Sequence, residues 1–349
     1  MLIVYCALLA LALVGAKISV KKFNTQQYLS MDSTNTVRGF FVMLVFLSHF
    51  TQYYTYKNSI DVMGGDISKT FGQMIVVMFM FYSGYGICES VKRKGSGYVK
   101  EFPRNRVFKT LFHFDIAIFI YFIMSLILGS GYPAKQVLLS FIGWDSIGNS
   151  NWYIFAVVIL YLLTWVGFSV FKNNKYLAAA LTTALICVYI VIMHKVKEKW
   201  WFDTVLCYAA GMWYSLFKEK FEWLLTKHNI IWVLITAIAA IGWNDALHYR
   251  SSSKMRIAEA LLFVVLVVAL SLKITINNKP LAWLGKHTFE IYILMRIPMK
   301  LFALWGLNTV NVYLYFFASF AATLVLCVLF SKLLAVVDKV VFKPKTKKA

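Results

Sequence analysis

Two residues of one predicted helix, Arg38 and His49, have side chains suited to acid–base chemistry on an anionic substrate. They are eleven residues apart, which at about 100° per residue is within about 20° of three full turns, so they share one helix face roughly 16 Å apart. A guanidinium binds phosphate bidentately, and an imidazole accepts a proton from a hydroxyl near neutral pH. An arginine that reaches lipid headgroups and a structural histidine would explain this pair equally well.

Other ionisable residues also lie in apolar segments, where each charge costs at least a few kcal/mol. Glu290 and Arg296 share the segment LGKHTFEIYILMRIP, and His113 and Asp115 share another. Asp115 is placed to orient His113 or to pair with a neighbouring cation. An ion pair between Glu290 and the basic residues three and four positions before it is an alternative to a catalytic carboxylate. The convergence of such residues from several segments predicts a site inside a membrane protein.

Two aromatic-rich motifs add uncharged candidates. FMFYSGYG contains Ser83 and Gly84, whose small size allows a ligand or another helix to approach the backbone closely. The chain has no G-x-S-x-G motif, so Ser83 is not expected to be a nucleophile. SNWYIF contains Asn151, Trp152 and Tyr153, which suit either an interfacial aromatic belt or the entrance for an external substrate.

The elements that position these residues are predicted to be membrane helices. Of 349 residues, 60% are hydrophobic and only 15% are charged, and the mean hydropathy is +0.68. A helical span needs about 20 mostly apolar residues, and such stretches follow one another along the chain. We therefore predict an all-α, polytopic transmembrane bundle of about eleven helices. The predicted spans are near residues 2–16, 37–56, 70–88, 107–129, 151–171, 176–194, 200–217, 229–243, 257–272, 284–305 and 311–337.

The net charge of +21 indicates orientation rather than nucleic-acid binding, because the basic residues lie in short connectors between apolar spans. Most of them fall on one side if the N-terminus is outside and the C-terminus is cytoplasmic. The connector from Val91 to Lys109 is the most basic, and it is predicted to be cytoplasmic. The five cysteines are scattered without C-x-x-C spacing, and no metal site is predicted.

Taken in order, these motifs resemble the membrane-bound acyltransferase 3 family, whose members modify cell-surface and exported carbohydrates. The matching features are R-x10-H at Arg38 and His49, the SG segment FMFYSGYG, the basic stretch after it, NWYIF and LGKHTFEIYIL. The resemblance covers residues from about 31 to 337. It implies a ten-helix core plus one N-terminal helix, with an anchor and linker at 1–30, an acyltransferase domain at 31–338 and a basic cytoplasmic tail at 339–349.

The resemblance implies O-acyl transfer from cytoplasmic acyl-CoA, usually acetyl-CoA, to a glycan hydroxyl at the outer face of a bacterial cell membrane. Acyl-CoA is a co-substrate, no permanently bound cofactor is expected, and the partners are membrane lipids, the glycan and a possible glycan-assembly protein. His49 would be the general base, with Arg38 and Glu290 assisting it. Arg38, Arg106, Lys109, Ser83 and Gly84 would bind the donor, and Asn151, Trp152, Tyr153 and Arg296 would face the acceptor.

Two positions depart from the family pattern. Lys109 stands where an R-x-x-R motif has its second arginine, and a lysine cannot make the same bidentate contact. Arg296 stands near the position where many relatives carry a histidine. A transporter or flippase of a lipid-linked or small anionic substrate is the alternative function, because buried cations also suit a transport site. The sequence shows no inverted repeat in its favour.

Overall fold

A computed structural model describes residues 1–54 and 59–342. It is almost entirely helical, which confirms the predicted polytopic helical class. The basic tail beyond residue 342 and part of the second predicted span lie outside the described residues. The helices are α1 (Leu2–Leu13), α2 (Met31–Phe50), α3 (Ser59–Phe71), α4 (Met74–Lys94), α5 (Ser96–Phe102), α6 (Lys109–Ile127), α7 (Ala134–Phe141), α8 (Trp152–Val170), α9 (Lys175–Val196), α10 (Leu206–Leu216), α11 (Lys218–Thr226), α12 (Asn229–Leu247), α13 (Ser253–Ser271), α14 (Lys279–Lys286), α15 (Thr288–Leu294), α16 (Arg296–Leu304), α17 (Leu307–Val310) and α18 (Val312–Val341).

Among the described residues, six helical stretches are long and apolar enough to cross a membrane, and α1 is a shorter apolar helix. The count of about eleven crossings therefore stays a prediction. The six stretches are Asp61–Lys94, Ser96–Ile127, Trp152–Val170, Lys175–Val196, Asn229–Leu247 and Val312–Val341.

Several predicted boundaries differ from the observed helices. The span predicted at 37–56 begins earlier, at Met31, and its helix ends at Phe50, so His49 lies in the last turn of α2. The span predicted at 284–305 is divided between α14, α15 and α16. Pro298 lies close to the start of α16, and a proline lacks the N–H that a continuous helix would need there.

The described residues divide into two compact units. The first contains residues 1–48, 59–100 and 162–286, and the second contains residues 49–54, 101–161 and 287–342. The first unit includes strands, which the sequence did not predict: a two-stranded antiparallel ribbon of β1 (Ala16–Ile18) and β2 (Ile274–Ile276). Each strand has only three residues, too few to show an alternating pattern in the sequence.

Glycines set the helix packing in the first unit. A Cβ at Gly84 of α4 would overlap the carbonyl oxygen of Tyr208 in α10, and one at Gly211 of α10 would overlap the carbonyl oxygen of Phe81. The two helices thus approach each other through backbone on both sides. The hydroxyl groups of Tyr208 and Thr164 are 2.7 Å apart, and both side chains are buried.

The second unit is held by aromatic packing and by one partly exposed acid–base cluster. Phe50 packs on Tyr315 of α18 with ring centroids 4.7 Å apart, and the Tyr315 hydroxyl donates to the carbonyl oxygen of Met299 at 2.8 Å. At the other end of α18 a carboxylate binds two basic side chains of α6. Asp338 accepts from Lys109 at 2.6 Å and pairs with His113 at 2.8 Å.

We predict that Gly84→Ala destabilises the protein by about 1–3 kcal/mol, because the added methyl group must push α4 away from α10. Gly86→Ala in the same helix is the matched control, since a Cβ there would meet no atom within 4 Å. Thermal unfolding of the two variants in the same detergent measures the difference. Equal Tm values would contradict the backbone contact at Gly84.

Candidate active site

Arg296 is the centre of a hydrogen-bond cluster that contains His49. Its Nη2 donates to Nδ1 of His49 at 2.7 Å and to Oε1 of Gln52 at 2.8 Å. Its Nε donates to Oγ of Ser150 at 2.9 Å, and its Nη1 donates to the hydroxyl of Tyr53 at 3.3 Å. All these groups lie in the second unit. All four acceptors are uncharged, and among residues 1–54 and 59–342 no carboxylate forms an ion pair with Arg296.

The contact with Arg296 decides which nitrogen of His49 carries a proton. A guanidinium only donates, so Nδ1 of His49 must be the acceptor. A neutral imidazole with an acceptor at Nδ1 has its hydrogen on Nε2. The only lone pair of His49 that is able to take a proton is therefore held by Arg296 in this state.

Three segments distant in sequence bring these groups together. The last turn of α2 supplies His49, and the residues directly after it supply Gln52 and Tyr53. Ser150 lies two residues before the start of the apolar helix α8, and Arg296 begins α16. Asn308 of α17 donates to the carbonyl oxygen of Tyr53 at 2.9 Å, which holds the segment after α2 in place.

Aromatic side chains line the cluster. The ring of Tyr292 lies 6.2 Å from the ring of His49 and 5.6 Å from the ring of Tyr153, centroid to centroid. Tyr292 is buried, and its hydroxyl has no hydrogen-bond partner among the described residues. His49 and Arg296 themselves are half-buried.

Some of the residues predicted on the acceptor side are connected to His49, either directly or through one other residue. Arg296 contacts it directly, and Tyr153 is connected to it through Tyr292. Trp152 packs edge-on against Tyr153 with centroids 5.8 Å apart. Asn151 instead donates to the carbonyl oxygen of Gly143 at 3.1 Å and thus shapes the loop before α8.

The described hydrogen-bond partner of Glu290 is a residue of α18 rather than His49. Its Oε1 accepts a hydrogen bond of 3.3 Å from Ser331 of α18. The described contacts of His49 include Arg296, Gln52 and Tyr292 but not Glu290. His113 likewise pairs with Asp338 rather than with Asp115, one oxygen of which is buried without a hydrogen-bond partner among the described residues.

The residues predicted to bind the donor lie in several environments. In the first unit the Arg38 guanidinium is 5.7 Å from the centroid of the Tyr82 ring, and Gly84 is in backbone contact with α10. In the second unit Lys109 forms its ion pair with Asp338. Ser83 and Arg106 both make interactions. The roles of these residues toward an acyl donor stay predictions.

Sequence reasoning missed four members of the cluster: Gln52, Tyr53, Ser150 and Tyr292. Each is an uncharged residue, so neither charge nor hydropathy distinguished it from other residues of an aromatic-rich membrane chain. The nearest signal was proximity to a chosen motif, since Gln52 and Tyr53 follow His49 and Ser150 precedes NWYIF. In the part of the chain that the structure describes, no group of three or more His, Cys, Asp or Glu residues is able to hold a metal ion.

Comparisons with known proteins agree with the motif series. A family model described as an acyltransferase domain matches residues 31–332, which is most of the chain. The comparison with curated proteins and the comparison with solved structures each returned no match. Arg38, His49, the SG segment, NWYIF and LGKHTFEIYIL all lie inside the matched range. The chain belongs to the acyltransferase 3 family and is a membrane acyltransferase.

Proposed function

We propose that the protein transfers an acyl group, acetyl in the simplest case, from cytoplasmic acyl-CoA to a hydroxyl of a cell-surface or exported glycan. The hydrogen bond between Arg296 and His49 is the observation that carries this proposal. It joins a proton acceptor to a cation that lacks a carboxylate partner among the described residues. Acyl transfer needs both, because a hydroxyl must lose a proton while negative charge develops on the carbonyl oxygen.

In the proposed reaction His49 is the general base, and Nδ1 is the nitrogen that takes the proton. Arg296 first moves its donors from Nδ1 to the thioester carbonyl oxygen, which frees the lone pair. The acceptor oxygen then bonds to the carbonyl carbon as its proton passes to Nδ1, and Arg296 stabilises the tetrahedral oxyanion. Collapse of that intermediate breaks the carbon–sulfur bond, and the leaving thiolate takes the proton from His49.

The arrangement also favours an order of events. Without an acyl donor, the lone pair on Nδ1 of His49 accepts a hydrogen bond from Arg296, so His49 is unable to deprotonate a hydroxyl. The donor carbonyl supplies the acceptor that Arg296 needs in order to leave Nδ1. The base therefore becomes active when the acyl group arrives, and this order limits deprotonation of water or glycan in the donor's absence.

On the donor side, Arg38, Arg106 and Lys109 remain the proposed contacts of the acyl-CoA phosphates. Lys109 must exchange its 2.6 Å contact with Asp338 for a phosphate oxygen, so its contribution to donor affinity is smaller than that of an unpaired cation. The acceptor glycan would enter near Tyr153 and Trp152, whose rings lie beside the cluster.

Replacing the base should abolish turnover. We predict that His49→Ala reduces transfer from radiolabelled acetyl-CoA at least about a hundredfold in protein reconstituted into nanodiscs, since a positioned base contributes about that much or more. His228→Ala, which changes a histidine at the start of α12, is the control. If folded His49→Ala protein turned over at the wild-type rate, His49 would not be the base.

Arg296 should matter through its geometry as well as its charge. We predict that Arg296→Ala lowers kcat about a hundred- to a thousandfold, as loss of an oxyanion donor does, and that Arg296→Lys restores only part of it. Lys300→Ala, one turn further along α16, is the control for loss of a cation from the same helix. Full activity of Arg296→Lys would show that a point charge suffices and would contradict the role of the guanidinium fork.

Glu290 provides a test of the partner that the structure assigns to it. Because Glu290 accepts from Ser331, we predict that Glu290→Gln lowers kcat less than about tenfold and that Ser331→Ala has a similar effect. The measurement is the same acetyl transfer assay at saturating donor. A loss as large as that of His49→Ala, with Ser331→Ala unaffected, would instead favour a direct catalytic role for Glu290.

A further inference from the structure

A second candidate site lies entirely within the first unit. It is a cavity of about 1140 Å³ between the end of α4, the start of α5, the end of α8 and the start of α9. Its lining includes four lysines, and no aspartate or glutamate is among the described residues that line it. A cavity with cations on several walls and no lining anion favours a negatively charged ligand.

The four lysines differ in the hydrogen bonds and ion pairs that they form with other protein groups. Lys92 donates to Glu89 at 2.6 Å and to the carbonyl oxygen of Ser215 at 2.9 Å. Lys100 lies in α5, and Lys172 lies between α8 and α9. Within the described residues, neither lysine has a hydrogen-bond or ion-pair partner. These two cations are therefore available to a ligand, whereas the Lys175 ammonium lies 5.5 Å from the centroid of the Tyr176 ring.

Backbone groups add to the positive potential of this cavity. The 22-residue helix α9 begins at its wall, and the side chain of Asn174 accepts from the N–H groups of Tyr176 and Leu177. The N-terminus of a helix carries partial positive charge. On the facing wall, a Cβ at Gly95 or Gly97 would meet no atom within 4 Å, so a ligand is able to approach the backbone there.

Aromatic rings accompany the cations. Trp165, Phe168 and Tyr176 also line the cavity, and Trp165 and Tyr176 are 36% and 42% solvent-exposed. Such rings offer stacking surface for a base or contact for an apolar chain. A phosphate group attached to an organic moiety matches both features better than a free inorganic anion does.

We propose that this lysine cavity binds a phosphate-bearing ligand, with Lys100 and Lys172 as its principal phosphate contacts. Two sources share this chemistry: the nucleotide end of the acyl donor and the headgroup of an anionic phospholipid. The nucleotide source rests on the proposed function and would extend the donor contacts beyond Arg38, Arg106 and Lys109. The lipid source does not depend on it.

The experiment measures two ligands on the full-length protein in nanodiscs. Binding of adenosine 3′,5′-bisphosphate is measured by calorimetry in phosphatidylcholine discs, and retention of phosphatidylglycerol is measured by native mass spectrometry after exchange into mixed discs. The test variant is Lys100→Gln with Lys172→Gln. The control is Lys94→Gln, which removes one positive charge from the connector that contains Lys100 but does not line the cavity.

The double variant should weaken one of these ligands at least about tenfold, because each lost charge-assisted contact to phosphate accounts for about that much. Loss of the bisphosphate identifies the nucleotide source, and loss of phosphatidylglycerol alone identifies the lipid source. Gly97→Leu, which adds volume without changing charge, should weaken the same ligand. Unchanged binding of both ligands in folded double variant would overturn the proposal.

The outcomes are separable from those for the proposed function. If the double variant loses bisphosphate binding but wild-type protein transfers no acyl group, the proposed phosphate site in the cavity is supported and the proposed acyl transfer at His49 is contradicted. If acyl transfer depends on His49 but the double variant binds both probes normally, the proposed function stands and the lysine cavity fails.

Discussion

The site depends on one cation that has no anion beside it. Arg296 satisfies its donors with an imidazole, an amide and two hydroxyls from segments that are distant in sequence. Burying a guanidinium among uncharged acceptors costs free energy, because such acceptors compensate its lost hydration less well than a carboxylate would. In the proposed reaction this charge stabilises the developing oxyanion, which a carboxylate at this position would repel.

The same constraint explains how much of the site the sequence could predict. Of this cluster, His49 and Arg296 were chosen from the sequence because ionisable groups stand out in an apolar chain, and the motif series identified the family. The sequence could not show that Arg296 rather than Glu290 contacts His49. That pairing depends on where α2 ends and on how the predicted span 284–305 breaks into α15 and α16, and hydropathy reports neither.

Helix packing in the first unit shows a similar division between what was predictable and what was not. FMFYSGYG was recognised as a place of close approach, but a ligand and a helix would leave the same pattern of small residues. The structure assigns the approach at Gly84 to the backbone of α10. Neighbouring Gly86 has open space, which spacing alone could not distinguish. A pattern of small residues thus indicates proximity, and only the fold identifies the neighbour.

Arginine at position 296 also has chemical consequences that a histidine there would lack. A neutral imidazole has one N–H to donate, whereas a guanidinium has five in a planar fork. Only the latter is able to bond His49 while it remains attached to Ser150 and Tyr53. It also stays charged at every physiological pH. In the proposed reaction, Arg296 is therefore an oxyanion donor that never needs to be protonated, and His49 is the group of the cluster that takes up and releases the proton.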